Sequence, residues 1–75
     1  MKYEKKQVLE VIVDVFGVKV EEIKDDSKFI EDLGADSLDT SELIINLEDK
    51  LDIKFDDNVD KIKTVKELFD YLDKI

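Results

Sequence analysis

The sequence predicts an all-α fold, namely a four-helix bundle with three main helices, a short third helix and a long first loop. Three observations support this prediction. Apolar residues recur at helical spacing in three separate stretches, no stretch alternates apolar and polar residues as a strand would, and no proline interrupts the chain. Because 28 of the 75 residues are Leu, Ile, Val or Phe, the chain can bury one small core. We therefore expect residues 1–75 to form a single domain.

The first helix is expected to run from about Tyr3 to Phe16. Its apolar residues fall on one helical face, at Val8, Val11, Ile12, Val15 and Phe16. Gly17 is well placed to end this helix, since glycine readily adopts the left-handed conformation of a C-terminal cap. Residues 18–36 then form a long connection. Its irregularly spaced apolar residues predict that it folds back on the core, with a short helical turn near Val20 to Ile23.

The second helix is expected from Ser37 to about Leu51. Asp36 is a favourable N-cap residue, and Asp39 places a negative charge in the first turn, where the helix dipole favours it. The face predicted to be buried carries Leu43, Leu47 and Leu51, with Thr40 and Ile44 beside them.

The opposite side of this helix predicts a surface for docking another protein. Leu38 and Ile45 lie within about 20° of each other on a helical wheel with 100° per residue. They are surrounded by acidic side chains, at Glu42, Glu48, Asp49 and Asp52. Scattered apolar residues on a surface are ordinary, but an apolar pair ringed by acids favours a partner with basic residues.

The last part of the chain predicts two further helices. Phe55, Val59 and Ile62 indicate the short third helix between residues 52 and 63. Thr64 and Glu67 have the spacing of a capping box, which places the start of the final helix. The apolar face of that helix carries Val65, Leu68, Phe69, Leu72 and Ile75.

The composition narrows the classes of function. The chain has no Cys and no His, and all 12 of its basic residues are Lys, so we expect no enzyme activity, no catalytic residue and no metal site. The net charge of −9 disfavours nucleic acid and anionic membranes and favours basic protein partners. The first six residues lack the apolar run of a signal peptide. We expect a cytoplasmic monomer.

One hydroxyl, that of Ser37, lies where a glycine-containing loop meets the second helix. The amino end of a helix carries unpaired N–H groups and a partial positive charge, which suits an anionic group held or attached there. Serine is also a common N-cap residue, and on this position alone a structural role for Ser37 is the alternative.

The residues Asp36-Ser37-Leu38, preceded by Leu33-Gly34-Ala35 and followed by Asp39-Thr40, resemble the phosphopantetheine attachment motif of acyl carrier proteins of the dissociated (type II) fatty-acid synthase type. The likeness extends over nearly the whole chain. It includes Phe16-Gly17-Val18, Phe29-Ile30-Glu31-Asp32-Leu33-Gly34, Ser41-Glu42-Leu43 and Ile62-Lys63-Thr64-Val65.

The resemblance implies that Ser37 Oγ receives 4′-phosphopantetheine from coenzyme A through a separate Mg²⁺-dependent synthase. The thiol of this arm would carry acyl chains as thioesters to the enzymes of fatty-acid synthesis. Basic patches of those enzymes and of the holo-carrier synthase would contact Asp36, Leu38, Asp39, Glu42, Ile45, Glu48 and Asp49. The acyl chain would be sheltered against Phe29, Ile30, Leu47, Phe55, Ile62 and Leu68, although each of these residues could equally be ordinary core.

The sequence also departs from the family it resembles, and other functions stay open. Ser41, Ile45 and Asn46 stand where such carriers commonly have other residues, and residues 55–59 lack a usual proline and look one residue shorter. The alternatives are a specialised carrier of a polyketide or other pathway, and an acidic interaction module without a prosthetic group. A calcium-binding loop starting at Asp25 or Asp49 fails, because its sixth position would be Ile30 or Lys54 instead of glycine.

Overall fold

The computed structural model describes residues 3–74, including the side chains at all of these positions except 57 and 58. It contains three α-helices and two short 3₁₀ helices, in the order α1 (Lys5–Phe16), η1 (Val20–Glu22), α2 (Ser37–Leu51), η2 (Asp57–Lys61) and α3 (Val65–Lys74). Over residues 3–74 there is no strand, and Lys28 and Thr64 form an isolated bridge. The all-α prediction is confirmed, and the short third helix has the 3₁₀ form.

The first helix begins two residues later than the sequence predicts. Glu4, the residue before α1, has an extended backbone. Tyr3 instead contacts α3, where its hydroxyl donates a hydrogen bond to Asp73 Oδ1 at 2.7 Å and its ring stacks on Phe69 with 6.1 Å between centroids. The predicted end is confirmed, since Gly17 has a φ of 68° and its N–H donates to the Val13 carbonyl oxygen at 2.9 Å.

The long connection folds back on the protein, as predicted, and binds the start of α3. The N–H of Val65 donates to the carbonyl oxygen of Ser27 at 3.1 Å, and the N–H of Lys66 donates to that of Asp25 at 2.8 Å. These N–H groups belong to the first turn of a helix, where no carbonyl of the same helix can accept their hydrogen bonds. The loop therefore satisfies the donors that α3 cannot satisfy itself.

A capping box completes the first turn of α3, as the spacing of Thr64 and Glu67 predicts. The Glu67 N–H donates to Thr64 Oγ1 at 3.1 Å, and the Thr64 N–H donates to Glu67 Oε1 at 3.0 Å. The same carboxylate oxygen accepts from the Lys63 N–H at 3.0 Å. The position of this turn is thus set both by its own side chains and by the loop.

The core lies where α1, α2, α3 and the returning loop meet. Apolar faces predicted for the three helices are buried there, with α1 and α2 in the closest contact. Its buried apolar side chains are those of Val8, Val11, Ile12, Phe29, Leu33, Ala35, Leu43, Leu47, Val65, Leu68 and Leu72. Val15, Phe16, Leu51 and Phe69 are half-buried at its edge, and Ile75 lies outside the described residues.

The helices and the acidic side chains of residues 3–74 bear on two possibilities, a membrane-spanning helix and a metal site. None of their helices combines the length and the apolar character that crossing a membrane requires. In the same part of the chain, His, Cys, Asp and Glu side chains do not form a group of three or more that could hold a metal ion.

Candidate functional site

Three residues before α2 give the motif its shape. Gly34 has a φ of 74°, a left-handed conformation, and the space where a Cβ would lie is open for 4 Å, so its conformation is what requires glycine. Ala35 is buried in the core, and its N–H donates to the Phe29 carbonyl oxygen at 2.9 Å. Asp36 has an extended backbone, as an N-cap residue does. The chain is thereby anchored at Ala35, two residues before the helix, and Ser37 takes the first helical position.

Asp36 performs the capping that a serine could have performed. Its Oδ1 accepts a hydrogen bond from the Asp39 N–H at 2.9 Å, while Asp39 Oδ2 accepts one from the Asp36 N–H at 3.2 Å. The predicted N-cap is confirmed, and Asp39 closes the box from the first turn. The alternative in which Ser37 is the N-cap residue is therefore excluded.

Ser37 is exposed at the first position of α2. Its carbonyl oxygen accepts a hydrogen bond from Thr40 Oγ1 at 2.9 Å. Among the described residues, no partner binds its Oγ, and none accepts from the N–H groups of Ser37 or Leu38. A hydroxyl free to react thus lies beside two N–H donors at the positive end of a helix.

The surface next to Ser37 is apolar at its centre and acidic around it. The side chain of Leu38 is 76% exposed and that of Ile45 is 59% exposed, in agreement with the helical wheel. Glu42 and Asp49 are exposed on the same helix, and Asp36 is exposed at its N-cap. Two exposed aliphatic side chains ringed by carboxylates suit a partner that offers an apolar contact within a basic surface.

Two of the predicted surface acids have additional contacts within the protein. Asp39 is half-buried, since its carboxylate belongs to the capping box. Glu48 was expected on the exposed rim, but it is half-buried and its Oε2 accepts a hydrogen bond from the Phe55 N–H at 2.9 Å. Its carboxylate therefore holds the segment that follows α2, which the expectation of a solvent-facing acid missed.

A groove of about 790 Å³ opens beside Ser37. One wall is the side of α2 that carries Ser37 and Ile44, and the opposite wall is η2 with the residues after it. The backbone N–H of Phe29 donates to the Lys63 carbonyl oxygen at 3.0 Å, which joins the loop and the chain after η2 at one side of the groove. The groove is lined by Lys28, Phe29, Ile30, Glu31, Ser37, Thr40, Ser41, Ile44, Ile45, Val59, Asp60, Ile62, Lys63, Thr64 and Glu67.

The six residues predicted to shelter an acyl chain fall into two sets. Phe29, Ile30 and Ile62 line the groove together with Ser37. Leu47 and Leu68 are fully buried in the core, and half-buried Phe55 packs against that core. Ile30 was expected in the interior, but its side chain is 57% exposed.

The groove also contains apolar residues that the sequence reasoning did not assign to a site. Ile44 was placed beside the core face of α2 and Val59 only within the third helix. The sequence does contain a signal for Ile44. This residue lies seven residues, or about two helical turns, after Ser37, which places both residues on the same side of α2. No such signal exists for Val59, because its place in the groove depends on where η2 packs relative to α2.

The charge of the site is largely uncompensated. Within the described side chains the structure has one ion pair, between Lys28 Nζ and Glu31 Oε2 at 3.3 Å, and both of its residues are exposed. None of the acids on α2 takes part in it, so the field of this helix surface stays negative.

Comparisons with known proteins agree with this geometry. A family model described as "Phosphopantetheine attachment site" matches residues 6–72. An acyl carrier protein of Chlorobium phaeobacteroides (strain DSM 266 / SMG 266 / 2430) is 48% identical over 71 residues, which cover 93% of this chain and 91% of that relative. The matched residues include α1 from Lys6 onward, the long loop before Ser37, all of α2, and α3 up to Leu72. The chain therefore belongs to the family of acyl carrier proteins, whose prosthetic group is 4′-phosphopantetheine.

Proposed function

We propose that Ser37 is the attachment residue and that this chain carries growing fatty acyl chains, as thioesters on the 4′-phosphopantetheine arm, to the enzymes of fatty-acid synthesis. The observation that carries the proposal is that Asp36, and not Ser37, caps α2. Because Asp36 caps the helix, the hydroxyl of the next residue has no structural task and is exposed.

The attachment step requires a partner enzyme. Ser37 Oγ forms a new bond to the phosphorus next to the pantetheine of coenzyme A, the pyrophosphate P–O bond breaks, and adenosine 3′,5′-bisphosphate leaves. The hydroxyl proton passes to a base of a separate Mg²⁺-dependent phosphopantetheinyl transferase, since this chain contains no His to accept it near neutral pH.

The residues around Ser37 fit the prosthetic group. The N–H groups of Ser37 and Leu38 have no acceptor among the described residues, and they lie where a phosphodiester on Ser37 Oγ would begin. When bound, the arm supplies the thiol that this Cys-free chain lacks. The groove beside Ser37 offers apolar side chains, among them Phe29, Ile44 and Ile62, against which an acyl chain can pack.

The surface of α2 would bind the partner enzymes. Leu38 and Ile45 provide the apolar centre, and the exposed acids Asp36, Glu42 and Asp49 attract basic patches from a distance. Such charges chiefly raise the rate of encounter, which suits a monomeric cytoplasmic shuttle that binds many enzymes briefly. In this function the chain presents its cargo and the partner enzymes catalyse the reactions.

The test is modification by a phosphopantetheinyl transferase with coenzyme A and Mg²⁺. The intact mass should rise by one phosphopantetheinyl group, which peptide mapping should place on Ser37, and Ser37→Ala should stay unmodified. Ser41→Ala is the matched control, because Ser41 is exposed one turn later and lines the same groove. Modification of Ser37→Ala would place the attachment at another residue and overturn the assignment of Ser37. No modification of the unaltered chain, while a control carrier is converted, would favour an interaction module without a prosthetic group.

A further inference from the structure

The segment between α2 and η2 is held by two side chains from different helices. Glu48 of α2 accepts a hydrogen bond from the Phe55 N–H at 2.9 Å, and the Tyr71 hydroxyl of α3 accepts one from the Asp56 N–H at 2.9 Å. The rings of Phe55 and Tyr71 also stack, with 5.1 Å between centroids and 23° between planes. We call these contacts of Glu48 and Tyr71 with residues 55–56 the clasp.

Backbone hydrogen bonds contribute little to the attachment of this part of the chain. In the described structure, the last bond to α2 is from the Ile53 N–H to the Glu48 carbonyl oxygen at 3.2 Å. The next backbone bond to another element involves the Lys63 carbonyl oxygen. Described backbone bonds between these two points are local, such as that from the Val59 N–H to the Asp56 carbonyl oxygen at 3.2 Å.

Open space lies on both sides of η2. The groove beside Ser37 is lined by residues of both η2 and α2, and a second cavity of about 540 Å³ is lined by Lys61 of η2 and by residues of α3. Ile62 lines both cavities, and Tyr71 lines the second. An element with cavities on two sides and few backbone bonds opens more easily than one packed on all sides.

We propose that the clasp holds η2 as the movable outer wall of the groove, and thereby sets how well an acyl chain beside Ser37 is sheltered. This proposal rests on the proposed function of the groove. Glu48 and Tyr71 are positioning residues in it, because they act on the groove through residues 55–56 and η2. Loosening either contact lets η2 move away from α2 and exposes the cargo to water.

Amide hydrogen exchange, measured on the protein without its phosphopantetheine arm, tests the first half of the proposal, namely that the clasp holds η2 in place. Tyr71→Phe removes the hydroxyl that binds Asp56 and keeps the stacked ring, so exchange at residues 55–62 should accelerate about two- to tenfold while α1 is unchanged. Tyr3→Phe is the matched control, since the Tyr3 hydroxyl also donates a hydrogen bond and its ring also stacks, and Tyr3 does not line the groove. Equal exchange at residues 55–62 in both variants would overturn the proposal.

Substitutions of Glu48 separate its hydrogen bond from its charge. Glu48→Ala should accelerate exchange at residues 55–62, whereas Glu48→Gln keeps an acceptor oxygen and should exchange like the unaltered chain. Asp49→Ala removes an exposed neighbouring charge and should also leave this exchange unchanged. Exchange in Glu48→Gln as fast as in Glu48→Ala would show that the charge of Glu48, and not its hydrogen bond, controls the segment, and would contradict the clasp.

The rate at which the acyl thioester is cleaved tests the second half of the proposal, namely that the clasp sets how well the acyl chain is sheltered. A transferase can load octanoyl- or acetyl-phosphopantetheine from the acyl coenzyme A, and hydroxylamine then cleaves the thioester. Tyr71→Phe should speed loss of the octanoyl group about two- to tenfold with little change for acetyl, and Tyr3→Phe should change neither. Unchanged octanoyl protection in Tyr71→Phe overturns the clasp while the carrier function stands. Failure to load the unaltered chain on Ser37 overturns the proposed function, and the exchange experiment still decides on the clasp.

Discussion

Asp36 and Asp39 bind each other's backbone N–H groups, with the Asp39 N–H 2.9 Å from Asp36 Oδ1 and the Asp36 N–H 3.2 Å from Asp39 Oδ2. Two carboxylates three residues apart would ordinarily repel each other. Here each carboxylate accepts a hydrogen bond from an N–H group, and both lie at the positive end of the α2 dipole, which offsets their repulsion. This pair leaves Ser37 between them with its hydroxyl unengaged, so the arrangement that starts the helix also presents the reactive group.

Replacing Asp36 by alanine should destabilise the protein. The substitution removes the N-cap of α2, and the free energy of unfolding should fall by about 0.5–2 kcal/mol, measured by urea denaturation. Asp49→Ala removes an exposed acid of the same helix that caps nothing, and it should change the free energy of unfolding by less than about 0.5 kcal/mol. Equal losses in the two variants would contradict a capping role for Asp36.

Charge reversal should affect Glu42 and Glu48 differently. Glu42 is exposed, so Glu42→Lys should slow association with a phosphopantetheinyl transferase at low salt and leave the free energy of unfolding within about 0.5 kcal/mol. Glu48→Lys also breaks the bond from the Phe55 N–H and should lower the free energy of unfolding by about 0.5–1.5 kcal/mol. Stopped-flow binding and urea denaturation measure the two effects. Equal stability of both variants would show that the Glu48 bond contributes nothing.

Stability should fall at alkaline pH because of Tyr3. Burial, followed by the hydrogen bond to Asp73, raises the pKa of the Tyr3 hydroxyl from 10.0 to about 12. The folded state therefore holds this proton more tightly than the unfolded chain. The resulting stabilisation is fully present below pH 10 and is lost as the pH rises through about 12.

The measurement is urea denaturation at several pH values between 9 and about 12. Tyr3→Phe should show a smaller loss of stability over this range than the unaltered chain, since the remaining titrating groups are shared. Identical pH dependence in the two proteins would mean that the Tyr3 hydroxyl is not bound to Asp73 in solution.

Replacing Asp52 by asparagine should stabilise the protein. Asp52 ends α2 with a φ of 54°, a left-handed conformation that asparagine adopts readily, and its negative charge faces the negative end of the helix dipole. The free energy of unfolding should rise by about 0.3–1 kcal/mol. Glu10→Gln is the control, because it removes one exposed charge from the middle of α1 and should have a smaller effect. A larger gain in that control would point to net charge as the cause.

The three α-helices, the caps at Gly17, Asp36 and Thr64 and the position of Ser37 could be predicted because their determinants are local. The N-cap at Asp36, the capping box of Thr64 and Glu67 and the glycine cap at Gly17 all bind groups within four residues of themselves. The helical spacing of apolar residues is likewise contained within one helix. Such features depend on neighbours in the chain, and a single sequence shows those neighbours directly.

Packing decided the features that join distant parts of the chain. Tyr3 leaves α1 because Asp73 and Phe69 offer it contacts across the fold. Glu48 turns inward to the Phe55 N–H. The groove beside Ser37 is lined by residues of the long loop, α2, η2 and the start of α3, which only the packing of these elements brings together. Bonds between residues far apart in sequence form only once the helices have packed, and their geometry depends on the whole set of contacts at once.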